Sequence, residues 1–215
     1  MSEIVVASGN PNKVEELRAI LGPLGVELLS LADVGDRGPD PEEPGTTFEE
    51  NAALKALAYA ERTGLPCLAD DSGLEVDALG GAPGVISARY HSDGLETDLP
   101  RSTRDRLNNE RLLRELEGVP ADRRTARFVC AMALAKPDGH VLATARGVFE
   151  GRIGLPGEVP RGSNGFGYDP LFLVAPDFTR TSAELTPAEK NRLGHRGNAA
   201  RAMTAAIAEL FGSGA

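Results

Sequence analysis

The sequence predicts an α/β fold in which helices flank a long mixed β-sheet, and two patterns carry that prediction. An apolar strand pattern at residues 4–7 is followed by a turn and then by apolar residues at helical spacing. Further along, strand patterns at residues 125–135 and 141–150 are separated by Pro137-Asp138-Gly139, a turn that favours an antiparallel hairpin. A sheet that contains such a hairpin is mixed rather than purely parallel.

Spacing and capping signals predict the next elements. Apolar residues recur at helical spacing over residues 13–21, which places a helix after the first turn. Thr46 and Thr47 each begin a capping box and predict a second helix that runs to about residue 62. Residues 65–69 form a second apolar strand, expected to end at Asp70-Asp71-Ser72-Gly73. The apolar face of the second helix is predicted from Leu54, Leu57 and Ala58.

The second half of the chain continues with helices and one irregular segment. Residues 102–116 have the pattern of an amphipathic helix closed by Gly118, whose polar face we expect to be solvated. Residues 151–169 are dense in Gly and Pro, which favours a functional loop. A strand at residues 171–174 follows. Thr186 begins a capping box for a short helix, and a final helix covers residues 196–211.

Composition limits the class of protein. A chain of 215 residues with 41% hydrophobic content can bury a full core, so we expect residues 1–215 to form one domain, with room for two lobes. The net charge of −9 disfavours a general affinity for nucleic acid. Cys67 and Cys130 have no partner at metal-ligand spacing and are expected to be buried, reduced thiols.

The cellular location is predicted from the length of the apolar runs and from the pattern of the opening residues. No run approaches the about 20 apolar residues that span a bilayer, so no membrane partner is expected. The opening residues lack the basic region and long apolar core of a signal peptide. We therefore expect a cytoplasmic protein.

The first candidate site is the turn between the first strand and the first helix, Ser8-Gly9-Asn10-Pro11-Asn12-Lys13. Backbone N–H groups at a helix start, together with a lysine, form an anion site. The alternative is an ordinary strand-to-helix turn. The segment is not a Walker A loop, because that motif's pattern of residues is missing.

The second candidate is Asp70-Asp71-Ser72-Gly73. Adjacent carboxylates repel unless a cation shares them, and oxygen ligands suit Mg²⁺ bound to substrate phosphates. Successive side chains of an extended segment point to opposite sides, so one of the two faces the site. Glu42 and Glu43 could complete the metal shell. The alternatives are a solvated turn and a plain acidic loop.

The third candidate is the segment 162–170, in which an aromatic ring stands among glycines. A ring in such surroundings can stack on a base, and Asp169 can accept a hydrogen bond from it. The alternative is a flexible turn whose Phe anchors the core.

The fourth candidate is Lys190 with His195 and Arg196, whose donors could bond a purine 6-oxo group. Here the alternative is a helix cap or a surface pair.

Together these motifs resemble the inosine-triphosphate pyrophosphatase family, whose members are also called XTP/dITP diphosphatases. The resemblance runs nearly from end to end. It rests on Ala7-Ser8-Gly9-Asn10 with Lys13, Thr47-Phe48-Glu49-Glu50-Asn51-Ala52 with Lys55, Ala69-Asp70-Asp71-Ser72-Gly73-Leu74, Gly80-Gly81-Ala82-Pro83-Gly84-Val85 with Ser87-Ala88-Arg89-Tyr90, Asn164-Gly165-Phe166-Gly167-Tyr168-Asp169-Pro170 and His195-Arg196-Gly197.

The resemblance implies a two-lobed fold around a central cleft, a homodimer, and hydrolysis of ITP, dITP and XTP to the monophosphate and pyrophosphate with Mg²⁺. It assigns Asp71 as general base and Mg²⁺ contact, with Glu42 or Glu43 as a second metal contact. It also implies a set of substrate-binding residues: Ser8, Gly9, Asn10, Pro11, Asn12, Lys13 and Lys55 for the triphosphate, Ser72 for the substrate, and Phe166, Gly167, Tyr168, Asp169, Lys190, His195 and Arg196 for the base.

One residue departs from the family's pattern, and two other functions compete with pyrophosphatase action. Gly194 stands where the family commonly has Ser, which removes one small polar contact. The rival enzyme is a broader nucleotide phosphatase that releases orthophosphate. The rival binding protein is a non-catalytic sensor of unusual purines, against which the presence of Asp71, Lys13 and Lys55 argues.

Overall fold

The computed structural model of the protein describes residues 2–9 and 11–211. Its strands are β1 Glu3–Val6, β2 Glu27–Ser30, β3 Cys67–Val76, β4 Thr125–Ala135, β5 Val141–Ile153 and β6 Phe172–Val174. Its α-helices are α1 Pro11–Leu21, α2 Phe48–Thr63, α3 Arg101–Glu115, α4 Pro187–Leu193 and α5 His195–Phe211. In the described part of the chain, no helix has both the length and the apolar character needed to cross a membrane.

These strands form one sheet in the order β2-β1-β3-β4-β5-β6, and the sheet is mixed, as predicted. Strand β1 runs parallel to both of its neighbours, and β6 runs antiparallel to β5. Strands β4 and β5 are joined by the predicted turn, in which the Lys136 N–H donates to the His140 carbonyl at 2.9 Å. The sequence did not predict β2, because four residues with one fully buried position give too short an alternation.

The chain divides into two compact units. The first consists of Met1–Ser72, Cys130–Gly147 and His195–Ala215. Its core is formed by apolar residues of β1, α1, β2, β3, β4 and α5, among them Ile4, Leu17, Leu68, Met132 and Met203. Strand β5 and helix α5 approach closely in this unit, because a Cβ at Gly147 would overlap the backbone of His195 and Ala199.

The second unit consists of Gly73–Val129 and Val148–Gly194. Its core gathers residues from β3, α3, β4, β5 and β6, and three phenylalanines meet there. The Phe172 ring lies 4.6 Å from Phe128 and 5.5 Å from Phe149, measured between ring centroids. Tyr168 is buried in the same core, so the loop that carries it is fixed to this unit.

Both cysteines are buried free thiols, as predicted. Burial raises the pKa of the Cys67 thiol to about 11 and that of the Cys130 thiol to about 12. Because the thiolate is the nucleophilic form, neither residue is suited to nucleophilic chemistry at neutral pH.

Of the two capping boxes predicted for α2, only the one begun by Thr47 forms, since Thr46 binds Glu50 instead of Glu49. The predicted apolar face of α2 was also wrong. Thr47 and Thr186 both form complete capping boxes, at the starts of α2 and α4. The buried face of α2 is instead formed by Phe48, Asn51, Ala52, Ala56, Tyr59 and Ala60. Leu54 is exposed, and with Leu57 it borders the segment of Pro44 and Gly45. Alanines together with Phe48 and Tyr59 therefore face the core, and the two leucines border the segment that precedes the helix.

Two strand boundaries also differ from the prediction. Strand β3 continues through Asp70-Asp71-Ser72-Gly73 to Val76 instead of ending there. The strand can continue because each carboxylate has cationic partners on its own side of the strand. Strand β5 extends to Ile153, so the glycine-rich loop begins three residues later than predicted.

Candidate active site

Asp70 forms a buried ion cluster in the first unit. Its carboxylate accepts two hydrogen bonds from the Lys13 ammonium, at 2.9 and 2.8 Å, and one from the Ser72 hydroxyl at 3.0 Å. The Arg196 Nε lies 3.6 Å from the same carboxylate. Burial opposes ionisation of Asp70, but Lys13 and Arg196 outweigh it and hold the pKa of Asp70 well below its ordinary value. Asp70 is therefore an anion that fixes two cations in place.

Asp71 has different partners and the opposite pKa shift. It accepts hydrogen bonds from the Lys55 ammonium and from the Asn51 amide, each at 3.2 Å. Burial and the negative charge of Glu43 raise the pKa of Asp71, although Lys55 opposes this effect. A carboxylate with a raised pKa is a stronger base than an ordinary one, which suits a residue that must accept a proton.

Glu43 lies beside the Asp71 group. Its carboxylate is 2.9 Å from the Lys55 ammonium, so Lys55 contacts both Glu43 and Asp71. Glu42, the other predicted metal contact, has an exposed side chain. Of the two glutamates, Glu43 is therefore the better placed to share a cation with Asp71.

The carboxylates of this cluster fit a magnesium ion. Within residues 2–9 and 11–211, no three His, Cys, Asp or Glu side chains are grouped to hold a metal by themselves. Mg²⁺ is usually held by one or two carboxylates plus substrate phosphates and water. Asp71 and Glu43 supply such a pair of oxygen donors.

The predicted triphosphate loop is described in part. Ser8 is half-buried and Gly9 is exposed after β1, and α1 begins at Pro11. Asn10 and the side chains of Pro11 and Asn12 lie outside the described residues. Lys13 has three donor hydrogens and gives two hydrogen bonds to Asp70. One donor remains for a phosphate oxygen.

The first turn of α5 carries His195 and Arg196. The Arg196 guanidinium donates to the Glu16 carboxylate at 3.0 Å, and its side chain is mostly buried. Since Arg196 also faces Asp70, it joins α1, β3 and α5 through ion pairs within the first unit. The base-binding role that the resemblance implies for His195 and Arg196 stays a prediction.

In the second unit, Asp169 organises the predicted base loop. Its carboxylate accepts from the Phe166 backbone N–H at 2.9 Å, from the Ser182 hydroxyl at 2.6 Å and from the Lys190 ammonium at 2.7 Å. The Tyr168 hydroxyl donates to the Ser87 carbonyl at 2.8 Å. Asp169 and Tyr168 therefore hold the loop through the chain's own groups, while the Phe166 ring is half exposed.

Helix α3 contacts the same loop through its polar face. Asp105 accepts from the Gly167 N–H at 3.0 Å, and the Asn109 amide donates to the Gly167 carbonyl at 3.0 Å. The Arg101 guanidinium lies over the Phe166 ring, 4.1 Å from its centroid. The prediction that this helix face is only solvated was therefore wrong, because three of its residues contact the loop.

Two glycines of this loop provide a matched test of its packing. Gly165 and Gly167 both have a positive φ, at 92° and 59°. A Cβ at Gly165 would overlap the Asp169 carboxylate and the Lys190 ammonium, whereas at Gly167 it would meet no described atom within 4 Å. We expect Gly165→Ala to reduce the free energy of unfolding by at least about 1 kcal/mol more than Gly167→Ala, because only the former separates an ion pair. Urea unfolding of both variants measures this difference, and equal losses would contradict the packing described.

The sequence and the structure of the chain are both similar to those of Ham1 proteins and dITP/XTP pyrophosphatases. The model of the Ham1 family matches residues 4–206. A dITP/XTP pyrophosphatase of Nitratidesulfovibrio vulgaris is 55% identical over 199 residues, which cover 92% of each chain. A dITP/XTP pyrophosphatase of Exiguobacterium sibiricum is 50% identical over 210 residues, which cover 98% of this chain and 99% of the other. The solved structure of a HAM1 protein from Coxiella burnetii superposes with a TM-score of 0.82 at 41% identity, covering 97% of this chain and 100% of that one.

Proposed function

The chain belongs to the Ham1 family, and from that premise we propose that it hydrolyses ITP, dITP and XTP to the monophosphate and pyrophosphate. Such an activity removes aberrant purine nucleotides before they enter DNA and RNA. The observation that carries the proposal is the contact of Lys55 with both Asp71 and Glu43. This arrangement supplies a base, a metal-binding pair of carboxylates and a cation within one cluster.

We propose that Asp71 is the general base. It takes a proton from water while the water oxygen bonds to the α-phosphorus of the substrate. The bond from the α-phosphorus to the oxygen that bridges it to the β-phosphorus breaks, and pyrophosphate leaves with that oxygen. Lys13 and Lys55 position the phosphates and neutralise part of their charge. Ser72, whose hydroxyl donates to Asp70, is the further residue proposed to contact the substrate.

The charge balance of the cluster supports a requirement for Mg²⁺. The ion pairs described above form two groups. Glu16 and Asp70 are balanced by Lys13 and Arg196, whereas Glu43 and Asp71 share the single cation Lys55. A triphosphate would therefore add negative charge beside a group of ionised side chains that is already negative by one. When bound, Mg²⁺ supplies positive charge that neutralises phosphate oxygens. Asp71 and Glu43 are the residues proposed to hold it.

For the base we propose stacking on the half-exposed Phe166 ring. The Lys190 ammonium, held by Asp169, is the donor proposed for the purine 6-oxo group. Adenine carries an amine at that position, which leaves the donor unpaired at a cost of roughly 1–3 kcal/mol. ATP is therefore expected to be a poor substrate.

The test is the release of pyrophosphate and orthophosphate from ITP, dITP, XTP, dGTP and ATP, each with Mg²⁺ and with a chelator. We expect pyrophosphate from the first three, loss of turnover with chelator, and hydrolysis of ATP at least about tenfold slower. The Asp71→Asn variant, purified in parallel, is the control for contaminating phosphatases. Release of orthophosphate would favour the broader phosphatase, and tight binding of ITP without turnover would favour the sensor.

We also propose that the protein acts as a homodimer, as the family resemblance implies, and in the cytoplasm, as its apolar patterns predict. Light scattering coupled to size-exclusion chromatography measures its mass in solution. A monomer mass near 22.6 kDa at enzyme concentrations that show full activity would contradict the dimer.

A further inference from the structure

Three polar residues of α3 form a row on one side of the helix. Arg101, Asp105 and Asn109 are spaced four residues apart, which places them on the same face of an α-helix. We call these three residues the α3 row. All three contact the short segment Phe166–Gly167.

The row holds the Gly167 residue from two directions. Asp105 binds its N–H and Asn109 binds its carbonyl, so two backbone groups of the loop tip have fixed partners on one rigid helix. Gly167 has a φ of 59°, a conformation that side-chain-bearing residues rarely adopt. The backbone on which the Phe166 ring stands is therefore set by α3.

Arg101 fixes the ring itself. Its guanidinium lies 4.1 Å from the ring centroid and 4.0 Å from the Asp105 carboxylate, so the cation contacts both the ring and Asp105. Phe166 as a residue is nevertheless 50% exposed. Because Arg101 lies over one face of the ring, the opposite face is the one that remains for a ligand to stack on.

We propose that Arg101 is a positioning residue for the purine base: it stacks on one face of Phe166 and holds the ring so that the opposite face can stack on the base. This inference rests on the proposed function, in which Phe166 stacks on the base. An exposed phenylalanine without such a partner would lose rotamer freedom on binding, and the stack with Arg101 removes part of that freedom beforehand. Phe166 keeps the direct contact with the substrate, and Arg101 acts through it.

The experiment compares Arg101→Ala and Arg101→Lys with the wild-type enzyme in steady-state kinetics with ITP. It adds product inhibition by IMP, which carries the base, and by pyrophosphate, which does not. We expect Arg101→Ala to raise KM for ITP and the inhibition constant for IMP by about two- to fivefold, the range expected of a partly exposed cation–π contact. The kcat and the inhibition constant for pyrophosphate should stay at the wild-type values. Arg101→Lys keeps the cation without the planar group, so its constants should lie between those of wild type and Arg101→Ala.

Arg106→Ala is the matched control, because Arg106 lies on the exposed side of the same helix and pairs there with Glu110. It should behave as wild type in every assay. In a Phe166→Ala background, Arg101→Ala should have no further effect on the IMP constant. The inference is overturned if Arg101→Ala leaves the IMP constant unchanged, raises the pyrophosphate constant equally, or acts as strongly without Phe166. If the wild-type enzyme does not hydrolyse ITP, the proposed function fails; if it does and Arg101→Ala matches it, only this inference fails.

Discussion

We expect the Asp71→Asn variant to lose more than about tenfold in kcat, at least about 1.4 kcal/mol of transition-state stabilisation. Removal of a general base commonly costs more, about 10²- to 10⁴-fold. Asparagine has nearly the same shape, and its single amide oxygen can still accept from either Lys55 or Asn51, so most of the loss should come from the missing base and metal contact. The measurement is steady-state pyrophosphate release from ITP at saturating Mg²⁺.

The same substitution should leave the fold as stable as before, or make it more stable. The pKa of Asp71 is raised in the folded protein above its ordinary value of 3.8, chiefly by burial. The ionised carboxylate therefore disfavours the folded state at neutral pH, and a neutral amide removes that penalty. Urea unfolding without Mg²⁺ tests this. Near-normal turnover would remove Asp71 from its proposed role, and a large loss of stability would assign it a structural one. Asp98→Asn, in an exposed loop, is the control.

Local signals in the sequence predicted most of the fold. The capping boxes at Thr47 and Thr186 depend on residues three apart, and the hairpin turn depends on three consecutive residues. Features that depend on distant neighbours were not predictable. The side of α2 that faces the core and the continuation of β3 through two aspartates both follow from chain segments far away in sequence.

In the candidate site too, local motifs were predictable from the sequence, whereas contacts between distant segments were not. Sequence motifs named Asp71, Lys13 and Lys55 as chemically interesting residues. Only the family resemblance distinguished Asp71 from Asp70. The residues alone could not, because the partner of Asp70 is Lys13, 57 positions away. Asn51 lies inside a quoted motif, yet its contact with Asp71 requires the packing of α2 beside β3. The α3 row went unnoticed because polar residues four apart are also the pattern of a solvated helix face.

Substitution of the neighbouring residue, Asp70, should destabilise the fold, unlike substitution of Asp71. We expect Asp70→Asn to reduce the free energy of unfolding by about 3–5 kcal/mol, the usual cost of removing one partner from a buried ion cluster. The side chain of Asp70 is only 5% exposed, and its loss leaves Lys13 and Arg196 as buried cations without their shared anion. Arg196 retains Glu16, whereas Lys13 keeps at most one of its two hydrogen bonds and loses the charge of its partner, because the amide has a single oxygen. Urea unfolding at pH 7, with Asp98→Asn as the exposed control, measures the loss.

Wild type and Asp70→Asn are expected to differ in their free energy of unfolding, and the pH dependence of this difference shows whether Asp70 stabilises the fold through its charge or only through packing. Because the pKa of Asp70 is lower in the folded protein than its ordinary value of 3.8, its ionic contribution is complete above that value. As the pH falls below 3.8, the unfolded chain takes up a proton that folded Asp70 does not, so the contribution shrinks. The stabilities of wild type and Asp70→Asn should therefore differ by a constant amount from pH 7 to about pH 5 and converge below 3.8. A difference that stays constant down to the lowest pH at which both proteins fold would show that the carboxylate's charge is not what stabilises the cluster.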